Sequence, residues 1–125
     1  MKKFTFCCDP CNNTRLRSFF DATICLRRER LTKTLDNYGN GIGNAVSEYR
    51  YCCFAKELEP DDPDYFGSSG VGVYDLDALT DRLYITVMTE EQFFGSLAEA
   101  LSSHRERFSD TEWGVIQQKM AVLLR

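Results

Sequence analysis

The stretch that decides the fold is LYITVMTEEQFF, residues 83–94, in which a strand pattern changes to a helix pattern. Residues 83–88 are aromatic, β-branched or otherwise apolar, a composition that favours a strand. Thr89 and Gln92 then have the spacing of a capping box, in which a hydroxyl and an amide satisfy free backbone N–H groups at a helix start. The helix that follows carries an apolar stripe of Phe93, Phe94, Leu97 and Leu101.

Two more strands are predicted before this stretch. Tyr49–Phe54 is short and rich in aromatic residues, which suits a strand, and Gly70–Tyr74 is interpreted as another. Between them, Lys56–Ser69 holds two prolines, two serines, a glycine and five acids, a composition typical of an exposed loop. Asp75–Arg82 is predicted to be the longer loop of an antiparallel hairpin that joins Gly70–Tyr74 to residues 83–88.

Helical spacing of apolar residues also marks the N-terminal part of the chain. From Leu16 to Tyr38 it predicts one long helix, or two helices joined near Asp21. The glycines at positions 39 and 41 can supply a helix C-cap and a turn, so the pattern is expected to end there.

A second capping box opens the last helix of the chain. Ser109 and Glu112 have the required spacing. The apolar positions of this helix are Trp113, Ile116, Met120, Leu123 and Leu124. The whole layout predicts an α+β fold, in which a small antiparallel sheet is flanked by N-terminal and C-terminal helices, in one domain over residues 1–125.

Length and cysteine content indicate the compartment. No stretch of the 125 residues approaches the roughly 20 apolar residues that span a bilayer. Met1–Pro10 starts basic like a signal peptide, but Asp9 comes too soon for an apolar core of the required length. We therefore expect a cytoplasmic protein without a membrane partner, whose six cysteines are reduced thiols.

Charge is distributed unevenly along the chain. Residues 57–91 contain ten acids and only Arg82 as a base, a net charge of −9. The remaining residues hold fourteen Lys and Arg against nine acids, a net charge of +5. Acidic loops are common on soluble proteins, so one interpretation is solubility and helix capping. The other is a docking surface for a basic partner, because a field of one sign steers association.

The docking interpretation defines a set of candidate contact residues and excludes one class of partner. Aromatic residues lie among the acids, as anchor residues of an interface often do. The candidate partner-binding residues are Glu57, Glu59, Asp61, Asp62, Asp64, Tyr65, Tyr74, Asp75 and Asp77. Their negative field argues against nucleic acid as the partner, since phosphates require a basic surface.

Thiol, metal and histidine chemistry gives weaker predictions. Cys8 and Cys11 have C-x-x-C spacing, and Cys52 or Cys53 could complete a zinc site. Neighbouring residues cannot easily turn both thiolates to one metal, so packing of this pair in the core is the competing interpretation. His104 would need a nucleophile such as Cys53 or Ser69 for catalysis, and a histidine near a helix end is the alternative. The sequence therefore predicts no cofactor and no enzyme.

Several of these segments carry a family resemblance. Phe19-Phe20, Tyr51–Phe54, Phe66-Gly67, Gly70-Val71 and Thr89–Phe93 occur in an order that resembles immunity proteins of bacterial contact-dependent growth inhibition (CDI). The likeness is to the group that neutralises ribonuclease toxins, and it extends from about residue 19 to the last helix.

The resemblance implies a cytoplasmic protein that binds the toxin nuclease domain and blocks its active site or substrate access. Ser68 and Ser69 separate Phe66-Gly67 from Gly70-Val71 where the family pattern is more compact, so no contact residue is carried over. Two other functions stay open from the sequence. One is a cytosolic adaptor for a basic protein or peptide, and the other is a small thiol or zinc enzyme.

Overall fold

The structure is a computed structural model that describes the backbone of residues 3–7 and all of residues 14–26 and 28–125. Its strands and α-helices, in chain order, are β1 (Lys3–Cys7), α1 (Thr14–Leu26), α2 (Leu31–Gly39), β2 (Arg50–Phe54), β3 (Val71–Asp77), β4 (Arg82–Met88), α3 (Glu90–Ser103) and α4 (Asp110–Leu123). Among these residues, no helix is both long enough and apolar enough to cross a membrane.

The sheet has four strands in the order β1-β4-β3-β2. β2, β3 and β4 pair antiparallel, as predicted, and helices flank them, so the α+β fold class is confirmed. β1 was not predicted. It adds to β4 in parallel, with Lys3 opposite Arg82 and Cys7 opposite Thr86, and makes the sheet mixed. Its residues lie in the segment that had been compared only with a signal peptide.

The β3–β4 hairpin is longer and its turn is shorter than predicted. Asp75 and Asp77 belong to the ladder, where Asp75 pairs with Tyr84, so the predicted long loop over 75–82 is wrong. The turn contains only residues 78–81. Asp77 Oδ1 accepts the backbone N–H of Leu79 at 3.0 Å, an Asx turn that local side-chain bonding favours. Asp81 has a φ of 57°, a left-handed conformation that aspartate adopts more readily than most residues.

The N-terminal helical region is split later than predicted. α1 runs through Asp21 without interruption, and Asp21 Oδ1 accepts Arg17 Nε one turn earlier at 3.0 Å. The break falls instead at the short 3₁₀ turn Arg28–Arg30. α2 ends at Gly39, as the glycines predicted, and Gly41 follows with a φ of 70°.

All four described α-helices pack on one face of the sheet, and Phe93 of α3 lies at the centre of that packing. Its ring centroid is 5.1 Å from Phe20 of α1, 5.3 Å from Tyr38 of α2 and 5.8 Å from Phe54 of β2. Phe93 is fully buried. Contacts of this kind add to the free energy gained by burying the ring, so one side chain connects three helices to the sheet.

The opposite face of the sheet carries a separate apolar cluster. Tyr74, Leu83 and Ile85 are buried there, and Tyr51, Phe66 and Val87 pack against them. No residue of the described helices belongs to this cluster, whereas the loop between β2 and β3 contributes Phe66. The two faces are therefore covered in different ways, one by helices and the other by a loop.

Both predicted capping boxes are present. Thr89 Oγ1 accepts the N–H of Gln92 at 3.0 Å while Gln92 Oε1 accepts the N–H of Thr89 at 3.0 Å. Ser109 and Glu112 exchange the equivalent bonds at 3.1 and 2.8 Å. In α4, Ile116 and Met120 are buried as predicted, but Leu124 lies just beyond the helix and is exposed.

The first cap provides a test of the strand-to-helix junction. Replacing Thr89 by alanine removes the oxygen that satisfies the N–H of Gln92, and we expect the free energy of unfolding to fall by about 1 kcal/mol. Urea denaturation followed by circular dichroism measures this. Ser102→Ala, at an exposed position of the same helix, is the matched control, and an equal loss in both variants would contradict the role of the cap.

Candidate partner-binding surface

The loop between β2 and β3 carries most of the predicted contact residues, and Glu57 fixes its start. The Oε1 atom of Glu57 accepts the N–H of Phe54 at 2.8 Å and the N–H of Gly43 at 3.0 Å. This carboxylate therefore closes the 3₁₀ turn Ala55–Glu57 and joins it to the segment after α2. Glu57 is nevertheless an exposed residue, so its charge still contributes to the outer surface.

Asp62 holds the middle of the loop in shape. Its Oδ2 atom accepts the N–H of Glu59 at 2.7 Å, and its own N–H donates to the carbonyl of Glu59 at 2.9 Å. The carbonyl of Asp62 in turn accepts the N–H of Tyr65 at 3.1 Å. These bonds form two consecutive turns. The acidic segment therefore has a defined backbone conformation.

Asp64 attaches the loop to the sheet. The hydroxyl of Tyr74 donates to the backbone carbonyl of Asp64 at 2.8 Å, and the hydroxyl of Tyr51 donates to its Oδ2 atom at 3.3 Å. The two tyrosine rings stack with centroids 4.7 Å apart and an interplanar angle of 8°. Burial raises the pKa of both hydroxyls, and the charge of Asp64 raises it further, so both remain protonated donors.

Tyr74 was predicted as a contact residue, and its position does not fit that role. Its side chain is 0% exposed, because the loop folds over β3 and Phe66 packs beside its ring at 6.5 Å between centroids. Tyr74 supports the loop from below instead of meeting a partner. The sequence carried a signal for this, since Val71, Val73 and Tyr74 form an apolar run that is buried on both faces of the sheet.

The remaining loop residues form a surface. Glu59 and Asp61 are exposed, and Asp62, Asp64 and Tyr65 are half-buried. We call these five residues with Glu57 the acidic loop surface. Its carboxylates are Glu57, Glu59, Asp61, Asp62 and Asp64, and none of them makes an ion pair with another residue that the structure describes.

The Cys53 thiol lies within the electrostatic influence of three of these carboxylates. Burial raises its pKa to about 11, with further increases from the charges of Glu57, Asp64 and Asp62. A charge raises the pKa of a thiol noticeably only from a short distance. Glu57, Asp62 and Asp64 therefore act on one point of the sheet from the loop above it.

Asp75 and Asp77 do not join the acidic loop surface. Successive side chains of a strand point to opposite faces, so Asp75 lies on the helical face while Tyr74 lies beneath the loop. Asp75 Oδ2 is 3.5 Å from Arg15 Nε, and the same guanidinium lies 3.8 Å from the ring centroid of Tyr84. Asp77 is three residues beyond Tyr74, roughly 10 Å along the strand. Of the predicted set, six residues thus lie on the acidic loop surface, Tyr74 lies beneath it, Asp75 faces the helices, and only Asp77 lies in a second acidic region.

The second region is the hairpin tip, residues 77–81, and it contains a residue that sequence reasoning missed. Leu79 is 98% exposed, between Asp77 and Asp81. The Asx turn of Asp77 holds its backbone. The available signal was an apolar residue in the middle of an acidic turn, where it cannot contribute to the core.

The predicted core packing is confirmed for Cys52, and His104 lies at the C-terminal end of α3, as the alternative to catalysis expected. Cys52 is buried, accepts the N–H of Asn44 at 3.5 Å, and has a pKa raised to about 12 mainly by burial. His104 meets Asp21 and Cys25 rather than Cys53 or Ser69. Within residues 14–26 and 28–125, no group of three or more His, Cys, Asp or Glu side chains could hold a metal ion. Cys8 and Cys11 of the predicted zinc site lie outside the described residues.

The sequence matches a family model described as CDI immunity protein over residues 12–117. The chain belongs to this family. Its role is therefore immunity against a CDI toxin, which implies binding of the cognate toxin protein, and the predicted resemblance is confirmed at this level. The match includes both the acidic loop surface and the hairpin tip. No curated protein and no solved structure matches the chain.

The attachment of the loop can be tested at Tyr74. Tyr74→Phe removes the bond to the carbonyl of Asp64 and leaves that partly buried acceptor unsatisfied, so we expect a loss of about 1 kcal/mol of stability. Hydrogen exchange should show faster exchange confined mainly to residues 58–69. Tyr65→Phe is the matched control, because the hydroxyl of Tyr65 makes no bond to the residues that the structure describes. Unchanged exchange in the Tyr74 variant would show that the loop does not depend on this bond.

The raised thiol pKa values predict instability in alkali. Above pH 9, the ordinary pKa of a cysteine, unfolded chains lose thiol protons that the folded state retains until about pH 11 at Cys53 and about pH 12 at Cys52. The folded state then binds more protons, so the free energy of unfolding falls as pH rises through this window. Cys53→Ser should reduce the slope between pH 9 and 11 and leave the slope between pH 6 and 8 unchanged. An identical alkaline slope in the variant would contradict the assignment.

Proposed function

We propose that the chain neutralises a ribonuclease toxin domain by placing its acidic loop surface against the basic active site, or against the path by which RNA enters it. The observation that carries this proposal is a cluster of carboxylates on one loop, held in shape by bonds to backbone groups and tyrosines. None of the cluster's charges is compensated by an ion pair with a described lysine or arginine.

Complementary charge gives the proposal its mechanism. An enzyme that binds RNA needs positive groups to hold phosphates, and those groups attract an acidic surface of similar extent. Glu59 and Asp61 are exposed, and neither carboxylate bonds to a residue that the structure describes, so both can pair with lysine or arginine of the toxin. Tyr65 is half-buried in the same loop and offers an aromatic contact of the kind that is common at interface centres.

The ordered conformation of the loop favours tight binding. A flexible acidic loop would lose conformational entropy on association, which weakens the complex. Here, Asp62 fixes the turn and the Tyr74–Asp64 bond fixes the loop against the sheet before the partner arrives. The carboxylates are thus presented at fixed positions.

Inhibition of this kind is stoichiometric, so the protein acts without catalysis and needs no cofactor. It acts in the cytoplasm, where the toxin encounters RNA. The family assignment favours a toxin as the partner over the adaptor for an unrelated basic protein. It likewise favours an inhibitor over a thiol or zinc enzyme.

A pair of charge-reversed variants tests the surface. Glu59→Lys combined with Asp61→Lys should lower the association rate constant with the toxin domain by on the order of tenfold, and should weaken its dependence on salt. Stopped-flow or surface plasmon resonance measures both. The control is Glu99→Lys with Glu106→Lys, the same change of charge at exposed positions of α3 and the turn that follows it.

Equal effects of the two double variants would show that only net charge matters and that the surface is misplaced. Leu79→Ala tests the hairpin tip separately. A larger loss of toxin binding in this variant would indicate that the toxin contacts residues 77–81 instead. Co-expression with the cognate toxin domain tests the toxin's chemistry. RNA should be degraded without the immunity protein and intact with it; protection from a toxin that leaves RNA intact would contradict the ribonuclease part alone.

A further inference from the structure

Four polar side chains meet where α1 lies against the end of α3, apart from the acidic loop surface. His104, the residue that caps α3, places Nε2 2.8 Å from Asp21 Oδ1 and Nδ1 3.9 Å from the Sγ atom of Cys25. Arg107, in the 3₁₀ turn that follows, donates its Nε–H to the same Nδ1 atom at 3.0 Å. Asp21 and Cys25 are one helical turn apart on α1, so both reach the same imidazole.

The bond from Arg107 fixes the tautomer of His104. A guanidinium can only donate, so Nδ1 must be the acceptor and the ring proton must lie on Nε2, where it donates to Asp21. Burial raises the pKa of Asp21, but the hydrogen bonds from His104 and Arg17 outweigh this and lower it, so Asp21 is a carboxylate at neutral pH. The one lone pair of Nδ1 is therefore shared between the Arg107 N–H at 3.0 Å and the Cys25 thiol at 3.9 Å, while a carboxylate holds the other side of the ring.

Cys25 differs from the other two cysteines whose side chains the structure describes. It is exposed, whereas Cys52 is buried and Cys53 is half-buried. Burial raises the pKa of both Cys52 and Cys53, which keeps them as unreactive thiols. Only Cys25 among the three combines access from solvent with a proton acceptor beside its sulfur.

We propose that Cys25 is a modification site that forms a mixed disulfide with a low-molecular-weight disulfide bearing carboxylate groups. His104 takes the thiol proton at Nδ1, and the Cys25 thiolate attacks one sulfur of the incoming disulfide. A Cys25–S–S–R bond forms and the original S–S bond breaks. The second half leaves as a thiolate, RS⁻, which is protonated from solvent or from His104. The incoming disulfide is the oxidant, so electrons balance without a further reagent.

Arg107 gives the site its preference for an anionic reagent. Its Nε–H is released from Nδ1 when that atom takes the proton, and its guanidinium then binds a carboxylate of the arriving disulfide. The guanidinium and the thiol contact the same nitrogen, so they are close enough to hold one small ligand. Arg107 makes no ion pair with any residue that the structure describes, so none of the described carboxylates competes for it.

The test uses the complete chain and glutathione disulfide, without the toxin. Peptide mapping by mass spectrometry follows the mixed disulfide at each cysteine over time. We expect the peptide that contains Cys25 to be modified at least about tenfold faster than the peptide that contains Cys52 and Cys53. Equal rates at these positions, or no modification at Cys25, would overturn the proposal.

Two variants separate the proposed site from simple exposure. Arg107→Gln leaves the His104–Asp21 bond in place and should slow modification by glutathione disulfide by about tenfold. Its rate with cystamine, a disulfide that carries two amines and no carboxylate, should not fall. His104→Gln should slow both reactions, and thermal unfolding verifies that it still folds. If Cys25 reacts at the same rate in all three proteins, it is merely an exposed thiol and the proposal is wrong.

Discussion

All described helices lie on the same side of the sheet, and this asymmetry governs the rest of the molecule. The apolar side chains of the other face, Tyr74, Leu83 and Ile85, are nonetheless buried, so they need a cover that no described helix provides. The loop after β2 is part of that cover, with Phe66 packed onto the cluster and Asp64 bonded to its tyrosines. The loop between β2 and β3 has the composition of an exposed loop, and it also covers one face of the sheet.

This double role explains why several negative charges can lie on a short loop without forcing the loop to extend. Like charges repel, and a free chain of this composition would extend. Three of the carboxylates are instead used locally, at Glu57, Asp62 and Asp64, where they accept bonds from backbone N–H groups or from a tyrosine. Hydrogen bonds to an ionised acceptor are stronger than neutral ones and offset the repulsion. Membership of the CDI immunity protein family gives the chain a toxin partner, and the function proposed above places that partner on this charged layer.

The sequence predicted well whatever depends on local pattern. The helix starts at Thr89 and Ser109 follow from four residues each, and the three antiparallel strands follow from composition. The sequence did not predict features that depend on contacts between residues far apart along the chain. β1 was missed although Lys3 and Thr5 alternate with Phe4 and Phe6, the period of a strand, and its position in the sheet depends on pairing with β4, about eighty residues away. Tyr74 and Asp75 were treated alike because both are near acids, yet alternation along β3 sends one beneath the loop and the other toward Arg15. The meeting of Cys25 with His104 spans 79 positions, so no sequence spacing could reveal it.

The shorter of the two bonds that attach Asp64 to the sheet, the one from Tyr74, ends on a main-chain oxygen. Every amino acid supplies that oxygen, so this bond places no demand on which residues the loop displays to solvent. Glu59, Asp61 and Tyr65 are thus free to be exchanged through mutation while the scaffold beneath them persists. Under selection by a different toxin, the proposed contact residues could therefore change at these positions while the fold stays the same.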